Sequence, residues 1–258
     1  MTIITLKLLG ICSMVWDHFS CIFPLPLLLP GLRPPFSHLL PYFGRLAAPI
    51  FLYTLVSGFR HTGSRKRYAG RLLAFAALSQ PPYWLFFCGE ARRYGQPLPS
   101  FGETGCNILF TLFLGLVMLE LVERLRYSNP AAAALAAAAC MLLARALDLE
   151  GREGYLLILL TLYFLTDGKK RPRWLELLLL LLAAVLGRWR LLLLAAEAGM
   201  RSTVLLNTLG PFLGLALAFF ACSGKKGSCS RRLQWGMYLF YPLHLLALGL
   251  AGLMLPPM

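Results

Sequence analysis

Two short motifs near opposite ends of the chain place histidine inside apolar sequence. The motif WDHFS carries Asp17 and His18, and FYPLHLL places His244 three residues after Tyr241, on one helical face, with Pro242 between them. Ionisable groups inside a membrane span are costly and by default suggest function, with structural pairing between helices as the alternative. Because neutral imidazole accepts and returns a proton near neutral pH, His18 is the better candidate for a general base.

The first motif also predicts contacts between helices. Successive helical residues point about 100° apart, so Asp17 and His18 cannot easily hydrogen-bond to each other and must each find partners on neighbouring helices. A histidine satisfied by such contacts needs no catalytic role. The pair Tyr241 and His244 has the same two interpretations, because it either contacts a substrate oxygen or joins helices.

A cluster of basic residues follows the first apolar stretch. The segment 44–62 begins with Arg45 near one surface and ends with Arg60 and His61 near the other, and SRKRYAGR extends the second group to Arg71. The guanidinium fork matches phosphate oxygens bidentately, so the cluster predicts a docking place for a phosphorylated cosubstrate. Membrane topology and attraction to anionic lipid explain the same residues without a ligand.

Polar residues in the middle of the chain have weaker interpretations. Asn107 and Thr111 stand at i and i+4, a spacing typical of polar contacts between membrane helices. Ser79 and Gln80 precede two prolines, which predicts a broken helix whose freed backbone groups face protein or a water-filled cavity. A simple kink is the alternative.

The composition predicts how these residues are carried. The chain is 58% hydrophobic and 14% charged, with a mean hydropathy of +0.67, whereas soluble domains carry about a quarter charged residues. The apolar runs have helical rather than alternating character, so we expect an all-α, polytopic transmembrane helical bundle forming one domain over 1–258. The nine expected spans are 3–23, 43–59, 72–88, 106–126, 130–147, 154–166, 174–189, 204–222 and 234–255. The stretch 174–198 alternatively forms one bent segment with Arg188 and Arg190 in its middle.

The charge distribution predicts topology. The net charge is +14, but Lys and Arg are concentrated in short loops between apolar runs rather than in a continuous patch, which disfavours nucleic acid as a partner. With nine spans, the basic loops 60–71, 167–173 and 223–233 share one side, expected to be cytoplasmic. That places the N-terminus inside, the C-terminus outside, and the acidic turn around Glu150 outside; we expect the first segment to be retained. The seven Cys are scattered, and neither a metal site nor a disulfide framework is expected.

Three longer segments resemble a known family. They are LKLLGICSMVWDHFSCIFP at 6–24, the stretch from GRLAAPIFLYTLVSGFRHT to LSQPP at 44–82, and NILFTLFLGL at 107–116. In this order they resemble the TraX proteins, integral membrane proteins associated with N-terminal acetylation of F-type pilin. Weaker similarity continues through GYLLILLTLYFL, SGKKG and FYPLHLL, so the resemblance covers most of the chain.

The resemblance implies a reaction and a set of site residues. TraX proteins are similar to the broader transmembrane acyltransferases, in which a membrane-embedded histidine is implicated and acyl-CoA is the donor. The expectation is therefore a bacterial inner-membrane enzyme that moves an acyl group, usually acetyl, to an amine or hydroxyl of a pilin-like protein, a glycan or a lipid. The implied roles are catalysis by Asp17, His18 and His244; acyl-CoA binding by Arg45, Arg60, His61 and Arg71; and substrate binding by Asn107, Thr111 and Tyr241.

The sequence also departs from the family pattern. The family commonly has acidic residues where this chain has Ser57, Gln80 and Trp84, which leaves room for a different acceptor or for a non-catalytic assembly factor in conjugation. A transporter or lipid-handling protein is the other alternative, because ionisable residues in spans also mark solute pathways. The chain shows no inverted repeat of the kind found in many transporters.

Overall fold

The computed structural model describes residues 1–24, 40–199, 201–223, 225, 227 and 230–257, and the elements in them are helical. A 3₁₀-helix, Leu40–Leu46, precedes the second α-helix. The α-helices of the described residues are α1 (Ile3–Ile22), α2 (Ala47–His61), α3 (Arg65–Arg93), α4 (Ile108–Leu125), α5 (Pro130–Ala146), α6 (Arg152–Leu165), α7 (Arg173–Leu186), α8 (Trp189–Glu197), α9 (Arg201–Ala221) and α10 (Arg231–Met254). The all-α prediction is confirmed for the described residues, and each predicted span overlaps at least one helix.

The number of membrane crossings is not confirmed at nine. Within the described residues, α1 and Arg232–Met254 are long and apolar enough to cross a membrane, and α7 with α8 forms a third candidate, bent by 69°. Several other helices are too short; α6, for example, has 14 residues, against the ~20 of a full span. Regular spacing of apolar runs predicted where helices lie better than how far each one reaches.

The helix ends fall into two groups. At one end, which we call the basic end, Arg60 at the close of α2 contacts Thr166 after α6, and the backbone N–H of Ile3 donates to Lys225. At the other, the acidic-turn end, the backbone of Cys106 pairs with the turn that carries Asp148. Which end faces the cytoplasm stays a prediction.

Glycines bring α3 and α10 into close contact. A Cβ on Gly89 would lie 2.5 Å from the carbonyl oxygen of Gly249, and one on Gly249 would lie 2.8 Å from the backbone of Leu85. Small residues permit this approach of two helix backbones. The crossing fixes α10, the helix that carries His244, against the body of the bundle.

The predicted break at the proline pair is wrong, because α3 continues through Pro81 and Pro82. Each proline lacks a backbone N–H, so one carbonyl of the preceding turn is left without its usual donor. In that region the side-chain amide of Asn107 donates to the carbonyl of Ala76 at 2.9 Å and to the side-chain oxygen of Gln80 at 2.7 Å. These bonds tie the turn before the prolines to Asn107, the N-cap of α4.

Candidate functional site

The two motif histidines meet although 226 positions separate them in sequence. Nδ1 of His18 on α1 lies 2.8 Å from Nε2 of His244 on α10, and the two rings are nearly parallel, at 13°. His244 is buried, and its Nδ1 lies 2.9 Å from the carbonyl oxygen of Phe240. The sequence expectation that His18 needs a partner on another helix is met by the second motif.

The carbonyl of Phe240 determines how protons are arranged along this chain of bonds. A carbonyl oxygen can only accept, so Nδ1 of neutral His244 must carry the proton and Nε2 must be the acceptor. His18 then donates from its own Nδ1, and the lone pair of its imidazole resides on Nε2. No described residue hydrogen-bonds to that nitrogen, so His18 Nε2 is the atom available to take a proton from a bound molecule.

Aromatic side chains hold both imidazoles in place. The ring of Phe86 on α3 lies 5.0 Å from that of His18, and Phe240 stacks on His244 at 5.1 Å and 6°. The ring of Tyr241 lies 5.7 Å from that of His244. The pair is thus confined by flat apolar surfaces that leave its hydrogen bonds little room to rearrange.

Asp17 is held in place by the 3₁₀-helix. Its carboxylate lies 3.6 Å from the guanidinium of Arg45, and a Cβ on Gly44 would lie 2.4 Å from the Cβ of Asp17. Ser13, one turn earlier on α1, donates to the carbonyls of Phe43 at 2.7 Å and Gly44 at 3.1 Å. Gly44 is therefore required by space, and Arg45 belongs to the histidine site.

Sequence reasoning missed three residues of the site. Glu150, Tyr155 and Arg188 line a cavity of about 60 Å³ together with Asp17 and His18. Glu150 had been assigned only to an acidic turn and Arg188 only to a bent segment. The one signal available in the sequence was an Arg within an apolar stretch, which is unusual enough to suggest function by itself.

Glu150 is positioned by α4. The hydroxyl of Thr111 donates to the backbone carbonyl of Glu150 at 2.7 Å, and the backbone N–H of Cys106 and its carbonyl bond the same turn. Burial raises the pKa of Glu150 to about 7, with the nearby charge of Asp17 acting in the same direction and the backbone N–H of Ile108 opposing it. Thr111 thus acts through Glu150 rather than by lining the cavity itself.

Three cavities adjoin one another along the bundle. One of about 110 Å³, near the basic end, is lined by Lys7, Tyr68 and Gln234 and shares Met14 and Tyr241 with the cavity at His18. The third, of about 520 Å³, lies at the acidic-turn end. It shares four residues with the cavity at His18: Arg45, Glu150, Tyr155 and Arg188. His18 lies in the middle of this row.

The residues expected to bind acyl-CoA do not form one cluster. Arg60 donates to the hydroxyl of Thr166 at 3.1 Å and to the carbonyl of Tyr163 at 2.5 Å, and His61 bonds within its own helix. Arg71 lies 5.8 Å from the ring centre of Tyr68, and its Nε has no hydrogen-bond partner among the described residues. Arg45 lies at the other end of the bundle. None of the four residues lines the 110 Å³ cavity, and Arg71 approaches it only through Tyr68, which does line it.

The positions where the family commonly has acids carry structural contacts here. The side chain of Gln80 donates to the carbonyl of Gly105 at 2.6 Å, and the indole of Trp84 donates to that of Pro99 at 2.9 Å. Both bonds fasten the loop between α3 and α4. Asn107 serves the same junction, because it caps α4 and bonds to α3. Of the expected substrate-binding residues, Tyr241 lines cavities and Asn107 and Thr111 do not.

An apolar helical bundle with an ionisable site between its helices defines a helical membrane protein. The family model for the TraX protein matches residues 3–251, so the chain belongs to the TraX family. It is also similar to the probable fimbrial assembly protein FimC, serogroup H1, of Dichelobacter nodosus, with 32% identity over 255 residues, which is 97% of this chain and 95% of that protein. No solved structure matches.

Proposed function

We propose that this protein is an acyltransferase of the bacterial inner membrane that moves an acyl group, usually acetyl, from acyl-CoA to an amine or hydroxyl acceptor. The observation that carries the proposal is the chain of bonds from Phe240 through His244 to His18, which leaves a lone pair on His18 Nε2 beside a cavity. A histidine prepared in this way is what general-base catalysis requires.

In the proposed reaction, His18 Nε2 removes the proton of the acceptor as its nitrogen or oxygen attacks the thioester carbon. A bond forms between acceptor and acyl carbon, the C–S bond breaks, and CoA leaves as a thiolate. The imidazolium of His18 then returns its proton to the sulfur, which releases CoA as the thiol. Asp17, the adjacent carboxylate, stabilises the transient imidazolium, and Tyr241, in this proposal, donates to the thioester oxygen.

The donor enters, in this proposal, from the basic end. The 110 Å³ cavity begins near Lys7 and Tyr68 and adjoins the cavity at His18 through Tyr241. Arg71 lies beside Tyr68, a lining residue of this cavity, and its Nε makes no hydrogen bond to a described residue. This end would face the cytoplasm, where acyl-CoA is present, which agrees with the concentration of Lys and Arg in its loops.

The biological setting we propose is pilus assembly or conjugation, with a pilin-like protein as a partner. The support is membership in the TraX family and the similarity, over nearly the whole length of both chains, to a probable fimbrial assembly protein. A modified pilin subunit would connect the reaction with that setting. A glycan or lipid acceptor would use the same chemistry at His18.

Radiolabelled acetyl-CoA tests the proposal most simply. Purified protein in detergent is incubated with labelled acetyl-CoA and a periplasmic extract, and label is followed into protein, lipid and glycan fractions. We expect transfer by the wild type and by His61→Gln, whose ring is exposed and bonds only within its helix, but not by His18→Gln. Absence of transfer with every fraction would contradict the enzyme proposal.

Transport is the rival that a specific observation favours, because the three cavities form a row through the bundle. A transporter reconstituted in liposomes would accumulate labelled acetyl-CoA or its acetyl product inside without forming an acylated acceptor. An enzyme would form the acylated acceptor in detergent, where no compartment exists. The two assays therefore separate the two functions.

A further inference from the structure

The 520 Å³ cavity at the acidic-turn end is lined by several arginines, of which some lie beside a carboxylate of the described chain and one does not. Within it, Arg152 bonds to Asp148 at 2.6 Å, and Arg45 lies beside Asp17 at 3.6 Å. Arg188 lines the same cavity, but its guanidinium makes no hydrogen bond or ion pair with a residue that the structure describes. A half-buried guanidinium without such a partner is a costly group, and a bound anion would repay its desolvation.

The position of Arg188 indicates whether that anion is part of the acyl donor or of the acceptor. Arg188 and Tyr155 line both the 520 Å³ cavity and the cavity that contains His18. An anion held by Arg188 therefore lies at the junction of the two, close to the place where a reacting group would meet His18 Nε2. The donor, in the proposed reaction, arrives through the other neighbouring cavity, so this junction is on the acceptor side.

We propose that Arg188 is a specificity residue that binds an oxyanion, carboxylate or phosphate, carried by the acceptor near the amine or hydroxyl that receives the acyl group. The planar fork of Arg suits both oxyanions bidentately. Trp189, Leu191 and Leu194 line the same cavity and give an apolar surface for the rest of the acceptor. The reaction part of this inference rests on the proposed function, but binding of the oxyanion does not.

Binding is tested with small probes and the purified full-length protein in neutral detergent. The probes are β-alanine, phosphoethanolamine and ethanolamine, of which the last lacks the oxyanion, and dissociation constants come from ligand-observed NMR titrations. We expect Arg188→Gln to lower the affinity for β-alanine or phosphoethanolamine by about ten-fold or more. The affinity for ethanolamine should stay unchanged. Arg188→Lys should retain part of the affinity, and Arg173→Gln, at the opposite end of α7, all of it.

The source of the oxyanion is distinguished by a lipid arm. Phosphatidic acid is added to the same samples. It displaces the soluble probes if the site takes a lipid headgroup, and it leaves them bound if the site takes a soluble acceptor. Either result supports an oxyanion site, provided that Arg188→Gln abolishes the binding of the anionic compound. If Arg188→Gln binds every anionic probe, soluble or lipid, as tightly as the wild type, the inference is overturned.

The failures of the two proposals are separable. Oxyanion binding that depends on Arg188 with no acyl transfer to any acceptor would remove the enzyme proposal and retain the site. Acyl transfer that Arg188→Gln catalyses with unchanged kcat/KM for anionic and neutral acceptors, together with unchanged binding, would retain the enzyme and remove the site.

Discussion

The basic end of the bundle and the region from His18 to the acidic-turn end differ in how fully their charged and polar groups are paired. At the basic end, Arg65 bonds to Glu120 at 2.8 Å, and Arg171 bonds to Asp167 at 2.9 Å. In the middle of the bundle and toward the acidic-turn end, by contrast, Nε2 of His18 and the guanidinium of Arg188 make no hydrogen bonds to described residues. At the basic end, much of the charge that stands out in the sequence is thus held in ion pairs, with Arg71 as an exception. Around His18 and Arg188, polar atoms remain available to a bound molecule.

The strongest test of this contrast replaces His18. His18→Gln keeps similar bulk and hydrogen-bonding capacity but cannot exchange a proton near neutral pH, so we expect acyl turnover to fall by about 10²–10⁴-fold. The affinity for CoA should change much less. His61→Gln at the basic end is the matched control. Turnover and thermal unfolding are measured on both variants, and a folded His18→Gln protein with near wild-type turnover would make His18 a structural residue.

Removal of His244 should have a smaller effect, because His244 acts through His18. His244→Leu deletes the acceptor for His18 Nδ1, and we expect kcat to fall by roughly ten-fold, the value of about one hydrogen bond. His244→Gln restores an acceptor oxygen and should recover part of the loss. Equal kcat in the two variants would show that the hydrogen bond to His18 is not what matters.

Gly44 offers a test by packing alone. Gly44→Ala forces a methyl group against Asp17, so we expect a loss of about 1–3 kcal/mol in the free energy of unfolding, typical of overpacking. A Cβ on Gly63 would meet nothing within 4 Å, which makes Gly63→Ala the control. Chemical unfolding in detergent measures both, and equal stability of the two variants would contradict the close approach of α1 and the 3₁₀-helix.

The smallest expected effect is the pH dependence from Glu150. Its pKa is raised to about 7 by burial, so the folded state favours the protonated carboxyl. The resulting stabilisation of the folded protein is complete below the ordinary pKa near 4.5. It is lost as the pH rises through about 7. Glu150→Gln should flatten the fall of the unfolding temperature between pH 5 and pH 7.5. In Glu103 the backbone N–H of Ser100 lowers the pKa, so Glu103→Gln should leave that fall in place.

Sequence reasoning reached part of this account, for physical reasons that differ by residue. His18 and His244 were found because ionisable groups stand out inside apolar runs, and helical positions follow from the same runs. The contact between the two histidines depends on how helices that are distant in sequence cross, and so does the place of Glu150 and Arg188 in the site. The periodicity of a single sequence does not encode these crossings. Arg45 was grouped with Arg60 by chain proximity, although α2 separates them along its whole length.

The proton arrangement at the histidine pair is the central claim, and ¹⁵N NMR of histidine-labelled protein tests it most directly. The chain has four histidines, so the variants His18→Gln, His61→Gln and His244→Gln assign the ring signals. At a pH where the rings are neutral, the account predicts that His18 and His244 are both protonated at Nδ1 and bare at Nε2. A proton on Nε2 of His18 would contradict it, because the atom proposed to take the acceptor's proton would already be occupied.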